Sequence, residues 1–421
     1  MRLAPRPSLL AAAVSLLFAA AAPAADGPDL LRPATKPAAT RPATSRPAVP
    51  PSPRLAPWRH GVKLAPVAPA GADEHSIHAY YVTTPESPDG KHVLYYASTA
   101  ADGQAGEVRV VERSTGRTTV LAAGIKTEDA HRAACQQWVS GGRRVAFHNA
   151  LPSGEWVVEC VDVTTGERRV LARNRQLGFG SPAGDVVPLY GPHWDANALR
   201  DLELLNVATG EVTKTPVTAA AVRAAYPEQV SAKFGDRPIS VFFPCLSPDG
   251  TRVFFKLATP AGGDARSKQA SDRECLLAYD LAASRFLLMQ AKWGHPAWHP
   301  NSRDVLNVGG VLTHTDTGKT ERLPNTPSLP GSHPSFGPAG TLFASDAVAT
   351  PWDKPTTWWV AGVGDPVTGD FAVVHAAENG RGAKSWRPSH PHPVFSPDGR
   401  RLYFNVSADG RTRLWVAEAG E

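Results

Sequence analysis

A short turn motif recurs along most of the chain and limits what this sequence can fold into. Ser-Pro-Asp-Gly, or a close relative of it, stands before a stretch of alternating apolar residues at seven places. These turns begin at Ser87, Ser140, Ser181, Ser247, His299, Gly337 and Ser396. Proline presets φ, aspartate bonds its own backbone and glycine takes a positive φ, so each motif predicts a hairpin turn.

A second kind of turn falls between the first ones and doubles the number of hairpins. It contains Thr-Gly and ends at Gly116, Gly166, Gly210, Gly318 and Gly369. Two hairpins per repeat give four strands, and the first turns recur roughly every 50 residues, a period typical of propeller blades. We therefore predict an all-β fold, a seven-bladed β-propeller of four-stranded blades. Six blades is the alternative, because the turn at Ser181 is the weakest.

The two ends of the repeat region predict how the ring closes. The last apolar stretch, residues 414–416, is a third strand with no fourth strand after it. An N-terminal strand around residues 62–67 could supply the missing outer strand. Pairing the first segment with the last would remove open sheet edges.

The residues before the repeats differ from them in composition and charge. Residues 1–25 contain Arg2 and Arg6, an apolar run and a small-residue site near Ala24, as in a secretory signal. We predict cleavage and a periplasmic or secreted protein without membrane insertion; an uncleaved anchor is the alternative. Residues 26–57, rich in proline and alanine, predict a disordered linker, and residues 58–421 the propeller.

Charge and cysteine content exclude some classes of function. The formal net charge of +5 arises within residues 1–56, and the rest of the chain balances to zero, so a nucleic-acid partner has no support. Two of the cysteines, Cys135 and Cys245, fall in first strands, whereas Cys160 and Cys275 fall in third strands. First and third strands lie roughly 9–10 Å apart, beyond disulfide reach. We therefore predict four free, buried cysteines.

Alignment of the repeats on their turns brings histidines into register. The position five residues before each turn proline, or before Ser140 in the repeat that lacks this proline, reads Thr83, Cys135, Leu177, Phe243, His295, His333 and His392. Three successive blades thus place histidine at one point, and His390 faces the same side as His392. Innermost strands line a propeller's axis, so these four imidazoles are expected to converge.

Convergent neutral imidazoles are the ligands that Mn, Fe, Zn or Ni take in proteins. The alternative is that each His-Pro pair merely begins a strand. Gln136 and Gln137 enter their blade nearby, and Gln137 could add an oxygen ligand to a site made by the four histidines.

Loops predicted on the same face carry aromatic and charged side chains. His193 and Trp194 suit a sugar-binding rim, and Arg266, Lys268 and Arg273 could hold carboxylates, although acidic residues lie among them. The nucleophile, zinc-protease and phosphate-loop motifs that mark many enzyme classes do not occur in the sequence.

The segment His390-Pro391-His392-Pro393-Val394-Phe395 followed by Ser-Pro-Asp-Gly resembles the signature of the oligogalacturonate lyases. The segments around His333 and His295 resemble companion motifs of that family, whose members are seven-bladed propellers related to Tol-type periplasmic repeats. The resemblance implies a manganese-type metal held by three histidines and a glutamine. His390 and His392 match the paired histidines, and His295, or alternatively His333, would be the third.

The family's glutamine stands three residues before the paired histidines, and that position is Arg387 here. This departure bears directly on metal binding, and Arg387 could instead contact the substrate carboxylate. The resemblance implies metal-assisted β-elimination of short uronate oligosaccharides, as in pectin breakdown, by a monomer. Arg273 and Lys268 are candidates for the catalytic base from their loop positions.

Two other functions are compatible with the sequence. A non-catalytic Tol-type propeller could bind protein or glycan through its mouth, and the Arg387 departure favours this alternative. A propeller attached to a hydrolase or peptidase is a third possibility, but no nucleophile motif accompanies the blades.

Overall fold

The fold is a seven-bladed β-propeller, as predicted, and the six-bladed alternative is wrong. A computed structural model describes residues 51–68, 71, 73–195 and 200–421. The predicted signal and most of the predicted linker, residues 1–50, lie outside the described residues. None of the described helices is long and apolar enough to cross a membrane.

Each blade is a four-stranded antiparallel sheet. In chain order the strands are β1 (Lys63–Pro66), β2 (His75–Ile77), β3 (His92–Ser98), β4 (Ala105–Glu112), β5 (Thr118–Lys126), β6 (Gln137–Val139), β7 (Arg144–Ala150), β8 (Trp156–Asp162), β9 (Arg168–Arg173), β10 (Gln176–Leu177), β11 (Val186–Tyr190), β12 (Glu203–Asn206), β13 (Val212–Lys214), β14 (Ser240–Leu246), β15 (Arg252–Pro260), β16 (Ser271–Asp280), β17 (Arg285–Gln290), β18 (Ala297–Trp298), β19 (Asp304–Asn307), β20 (Val311–His314), β21 (Thr320–Arg322), β22 (Pro334–Phe336), β23 (Phe343–Val348), β24 (Trp358–Gly364), β25 (Phe371–Glu378), β26 (Val394–Phe395), β27 (Arg401–Ala408) and β28 (Arg411–Glu418).

Blades 1 to 6 take four consecutive strands each, from β2–β5 to β22–β25. Blade 7 combines β26, β27 and β28 with β1. The helices are short: α1 (Ala56–Arg59) precedes β1, while α2 (Ala219–Ala225) and α3 (Pro227–Phe234) connect blades 3 and 4. Single 3₁₀ turns lie at Pro53–Leu55, Ser140–Gly142, Val308–Gly310 and Thr350–Trp352.

The Ser-Pro-Asp-Gly turns are held by the bonds that their sequence predicts. In the first of them Ser87 Oγ donates to Asp89 Oδ1 at 2.6 Å, and the His92 N–H donates to Ser87 Oγ at 3.0 Å. Gly90 has a φ of 73°, which a side chain would disfavour. The same serine–aspartate bond recurs at Ser247 and Ser396. Each turn therefore fixes the register of the two innermost strands of its blade.

The ring closes through the N-terminal strand, as predicted. Strand β1 pairs antiparallel with β28, with Leu64 opposite Ala417. The packing begins before β1, because Leu55 and Trp58 are buried against blades 6 and 7 and the Ser52 hydroxyl donates to Asp365. Residues 51–57 were assigned to the linker from their proline content, whereas the structure packs them on the propeller.

A buried ion pair joins the first and last blades. The carboxylate of Glu86, on blade 1, accepts two hydrogen bonds from the Arg401 guanidinium, each 2.8 Å long. The Tyr403 hydroxyl donates to the same carboxylate. Both partners lie at the start of β27, so this contact reinforces the closure that β1 provides.

The cysteine prediction is confirmed: Cys135, Cys160, Cys245 and Cys275 are free and buried. Cys135 belongs to a repeated irregularity of the inner strands. Cys135, Phe243 and His392 stand at the same repeat position and have φ values of 50°, 55° and 48°. Left-handed backbone at non-glycine residues is costly and marks bulges that redirect side chains. Here the bulges lie where the inner strands meet at the axis, a region we call the hub.

We predict that Glu86→Gln lowers the free energy of unfolding by about 2 kcal/mol, because Arg401 loses one of its two charged partners and keeps only Asp398. Chemical denaturation measures the change. Glu378→Gln is the matched control, since Glu378 pairs with Arg381 on the surface and its loss should change stability by less than about 1 kcal/mol. Equal effects of the two substitutions would contradict a special role for the ring closure.

Candidate metal centre

Four histidines meet in the hub. One ring nitrogen from each of His131, His333, His390 and His392 lies within 4.8 Å of those of the other three. His333 precedes β22 in blade 6, His390 and His392 precede β26 in blade 7, and His131 lies in the segment that enters blade 2. Three of the histidines that the sequence analysis expects to converge thus share this cluster with a fourth from a different blade.

A buried carboxylate orients two of these histidines. Asp346, on β23, is fully buried and accepts the backbone N–H groups of His333 and His392 at 2.6 and 3.0 Å. Its oxygens also lie 3.0 and 3.1 Å from His333 Nδ1. A proton on Nδ1 leaves the lone pair of Nε2 free, the usual role of a carboxylate behind a metal-binding histidine.

The bulge at His392 explains why Asp346 can hold both residues. The left-handed φ at His392 removes its N–H from the strand ladder, and Asp346 accepts that N–H instead. Strand pairing continues on both sides, because the Asn405 N–H donates to Pro391 O and Val394 faces Tyr403. The side chain of His392 is thereby turned into the hub without loss of the sheet.

The histidine nitrogens that face one another lack protein partners. Among the described residues, His131 Nε2, His333 Nε2, His390 Nδ1 and both ring nitrogens of His392 are buried without a hydrogen bond. His131 Nδ1 lies 3.1 Å from Pro388 O, which leaves its Nε2 as the lone-pair atom. Buried polar atoms normally have partners, so this set fits a divalent metal ion chemically.

Burial also keeps these rings in the form that ligates metals. It lowers the pKa of His131, His390 and His392 well below its usual range, and neighbouring cationic or histidine side chains add to the effect. The rings are therefore neutral near pH 7, as metal ligation requires.

Two residues proposed as ligands from the sequence lie elsewhere. The Gln137 amide donates to Gly178 O and its oxygen accepts the Gly180 N–H, both at 2.8 Å, so the side chain joins blades 2 and 3. His295 packs against His333, with ring centres 4.2 Å apart, but stands outside the group of four. The fourth member of the cluster is His131, where sequence reasoning expected His295 or Gln137.

His131 was missed because it falls four residues before the aligned position of its blade. A signal was nevertheless present in the polar run Thr127-Glu128-Asp129-Ala130-His131-Arg132, which a sequence analysis treats as a solvated loop. All of these residues are buried. Titratable side chains buried together are typical of functional sites.

Two tyrosines from blade 1 form the floor of the site. The inner strand of this blade is interrupted between Ile77 and the bridge at Glu86, and the intervening segment enters the hub. The ring of Tyr80 lies 4.7 Å from His392, and that of Tyr81 lies 5.3 Å from His333. Burial raises the pKa of Tyr80 to about 12, so its hydroxyl group stays neutral near pH 7.

A cavity of about 240 Å³ lies at the other end of the hub and is bordered by Tyr81. Its lining consists of apolar, proline and small polar residues, among them Phe179, Trp298 and Phe395. No acidic, basic or histidine side chain in the described part of the chain lines it. The titratable side chains of the hub therefore lie at the end that holds the histidines and not in this cavity.

Three cations without ion pairs surround the histidines. Among the described residues, Lys256, Arg273 and Arg387 form no salt bridge with a carboxylate. Lys256 and Arg273 lie over the ring of Phe242, at 5.2 and 4.9 Å from its centre. Arg387 lies 6.0 Å from the ring of Trp386. Cations gathered in this way favour an anionic ligand.

The acidic residues nearby are already engaged. Burial raises the pKa of the Glu128 carboxyl, but Arg132 and His193 outweigh it and hold this pKa well below its usual range. Glu128 pairs with Arg132 and lies 3.0 Å from His193 Nε2. No carboxylate among the described residues forms a salt bridge with Arg273, Arg387 or Lys256, although the charges of Glu128 and Asp129 act on Arg273.

The remaining sequence candidates lie at different depths. His193 is buried, and its Nδ1 lies 2.7 Å from Ser271 Oγ, the group to which Arg273 Nε donates at 3.1 Å. Trp194 is half-buried at the rim and packs against Trp156 with ring centres 5.5 Å apart. Lys268 is exposed on the loop between β15 and β16, and the structure does not bring it to the cation group.

Comparison with known proteins supports the fold. No family model matches the chain, and no curated protein sequence matches it. Among solved structures, an oligogalacturonate lyase in complex with manganese is 16% identical with a TM-score of 0.56, covering 86% of this chain and 94% of that one. An oligogalacturonate lyase from Vibrio parahaemolyticus gives the same identity and TM-score, over 85% and 93%. At this identity the likeness establishes a shared propeller fold.

We predict that His131→Ala weakens binding of manganese or zinc more than about 100-fold, because loss of a direct ligand exceeds the roughly 10- to 100-fold effect of losing an outer partner. Isothermal titration calorimetry measures the affinity. His60→Ala removes an exposed histidine outside the hub and should leave it unchanged. Unaltered affinity in His131→Ala would remove His131 from the site.

Proposed function

We propose that this protein is a metal-assisted lyase that cleaves short 4-linked uronate oligosaccharides, such as oligogalacturonides, by β-elimination. The observation that carries the proposal is the placement of a four-histidine cluster beside two arginines, Arg273 and Arg387, that form no salt bridge among the described residues. Neither feature alone specifies the substrate. Together they suit a ligand with several carboxylates: the basic side chains can bind the carboxylates, and a metal held by the histidines would polarise one of them.

The cations supply recognition of the anionic sugar. Arg387 stands where the resemblance places a glutamine ligand, and its charge acts on His131, Lys256 and Arg273 alike. A guanidinium there can hold one uronate carboxylate by paired N–H bonds. Arg273 can hold the carboxylate of the neighbouring sugar, and its unpartnered Nη2 is available for that bond.

Aromatic side chains suit the sugar rings that carry these carboxylates. Trp386 lies within cation–π distance of both Arg273 and Arg387, and its indole Nε1 has no partner among the described residues. Trp194 extends the aromatic surface beyond His193 at the rim. A short oligosaccharide could thus lie from the histidine cluster towards Trp194.

The reaction requires loss of the C5 proton next to a carboxylate. A bound divalent metal, proposed to be manganese, would supply charge neutralisation at that carboxylate. His131, His333, His390 and His392 would hold the metal, with Asp346 fixing two of them. The buried floor of Tyr80 and Tyr81 excludes water, which strengthens every electrostatic contact in the site.

We expect purified, manganese-loaded protein to convert digalacturonate into an unsaturated product. Ultraviolet absorbance of the new C4=C5 bond and mass spectrometry of the products measure this conversion. Removal of the metal with a chelator, or His392→Ala, should abolish the reaction, whereas His60→Ala should not. Cleavage that adds water instead of forming a double bond would contradict the proposal. A failure to turn over both α-4-linked and β-4-linked uronides would also contradict it.

We predict that Arg387→Gln raises KM for digalacturonate at least about tenfold while metal affinity is retained, because a charge-assisted carboxylate bond is lost. Steady-state kinetics and calorimetry separate the two effects. Arg381→Gln, on the surface beside Glu378, is the matched arginine control. A gain in metal affinity without a change in KM would instead assign position 387 to the metal.

A further inference from the structure

One buried lysine in the hub has no role in the recognition of carboxylates described above. Lys256 lies on β15 and is 8% exposed. The strand register shifts between Phe255 and Leu257, so Lys256 stands at a bulge. Its Nζ lies 4.6 Å from the ring centre of Trp293, 5.2 Å from that of Phe242 and 5.8 Å from that of Phe243.

The surroundings of Lys256 disfavour the ammonium form. No described carboxylate pairs with it, and the charged or titratable groups that face it are Arg132, Cys245, Arg273, His295 and Arg387. Burial lowers the pKa of Lys256 well below its usual range, and the three arginines lower it further. The aromatic rings favour the cation, but this contribution is small beside burial among like charges.

Lys256 also lies next to the histidine cluster. Its charge contributes to lowering the pKa of His295, whose ring is 4.2 Å from that of His333. Its Nζ shares the ring of Phe242 with Arg273, which faces the same space. The amine therefore borders the region where a uronate held by Arg387 and the cluster would place its sugar ring.

We propose that Lys256 is the base that removes the C5 proton of the uronate; this inference rests on the proposed function. The neutral amine takes the proton, and the electron pair of the C5–H bond becomes the C4=C5 double bond. The C4–O bond breaks and its pair stays on the departing oxygen. That oxygen takes a proton from water, and the Lys256 ammonium returns its proton to the solvent, so atoms and charge balance.

Arginine at position 256 keeps a long basic side chain over the aromatic rings but cannot serve as the base, because its pKa is too high. We expect Lys256→Arg to lower kcat by about 10²- to 10⁴-fold, the usual contribution of a general base, with KM within a few-fold of the wild type. The variant should also lose exchange of the C5 proton with deuterium oxide, followed by nuclear magnetic resonance. Lys319→Arg, on an exposed turn, should behave as the wild type.

The pH profile gives a second measurement. The base acts when unprotonated, so kcat/KM of the wild type should rise with pH through the pKa of Lys256, which lies below that of an ordinary lysine. This rise of kcat/KM with pH should be absent from the residual activity of Lys256→Arg. Melting temperature and metal affinity close to wild type would show that the variant is folded and loaded.

The outcomes separate this inference from the proposed function. Wild-type protein that forms no unsaturated product overturns the proposed function, and the base with it. An active wild type with Lys256→Arg equally fast overturns the base alone. A variant with unchanged kcat but a raised KM would show that Lys256 binds a carboxylate and does not remove the proton.

Discussion

The geometry of the hub depends on one buried carboxylate. Asp346 accepts the N–H that the bulge at His392 removes from its strand, and it also holds His333 by backbone and ring. It thus joins blades 6 and 7 at the point where their histidines must meet. A carboxylate with three donors is adequately compensated for burial, and without it the His333 ring and the His392 N–H would lose the hydrogen bonds that the described residues give them. The arrangement of the histidine cluster is therefore set by the fold itself.

The same hub carries charge that the protein does not neutralise. Glu128 is paired with Arg132 and His193, and neither Arg273 nor Arg387 forms a salt bridge among the described residues. Such an arrangement opposes folding, because like charges are buried close together. The ring is nevertheless closed through β1 and the Glu86–Arg401 pair. An anionic ligand would relieve the repulsion, so the buried positive charge favours a uronate ligand as much as the histidine cluster does.

Sequence reasoning placed three members of the four-histidine cluster and did not place the fourth. Register within the repeats placed His333 and His392 at one point, and the alternation rule added His390. It could not exclude Gln137, because the bonds of that side chain to Gly178 and Gly180 come from the neighbouring blade. It passed over His131 and Lys256 because neither stands at the aligned position. Both reach the hub through irregular backbone, a buried loop and a bulge, and these have no period to detect.

The sequence by itself determined the architecture: seven repeats with two turns each, closed by an N-terminal strand, with cysteines too far apart to pair. Turn chemistry and strand alternation are local, so they can be recognised without knowledge of distant contacts. Only the tertiary structure decided which side chains share the hub, which of them already have partners, and which remain free for a ligand. Burial, pairing and the resulting pKa shifts depend on neighbours hundreds of residues away, as with Arg387 and His131, and no local pattern contains that information.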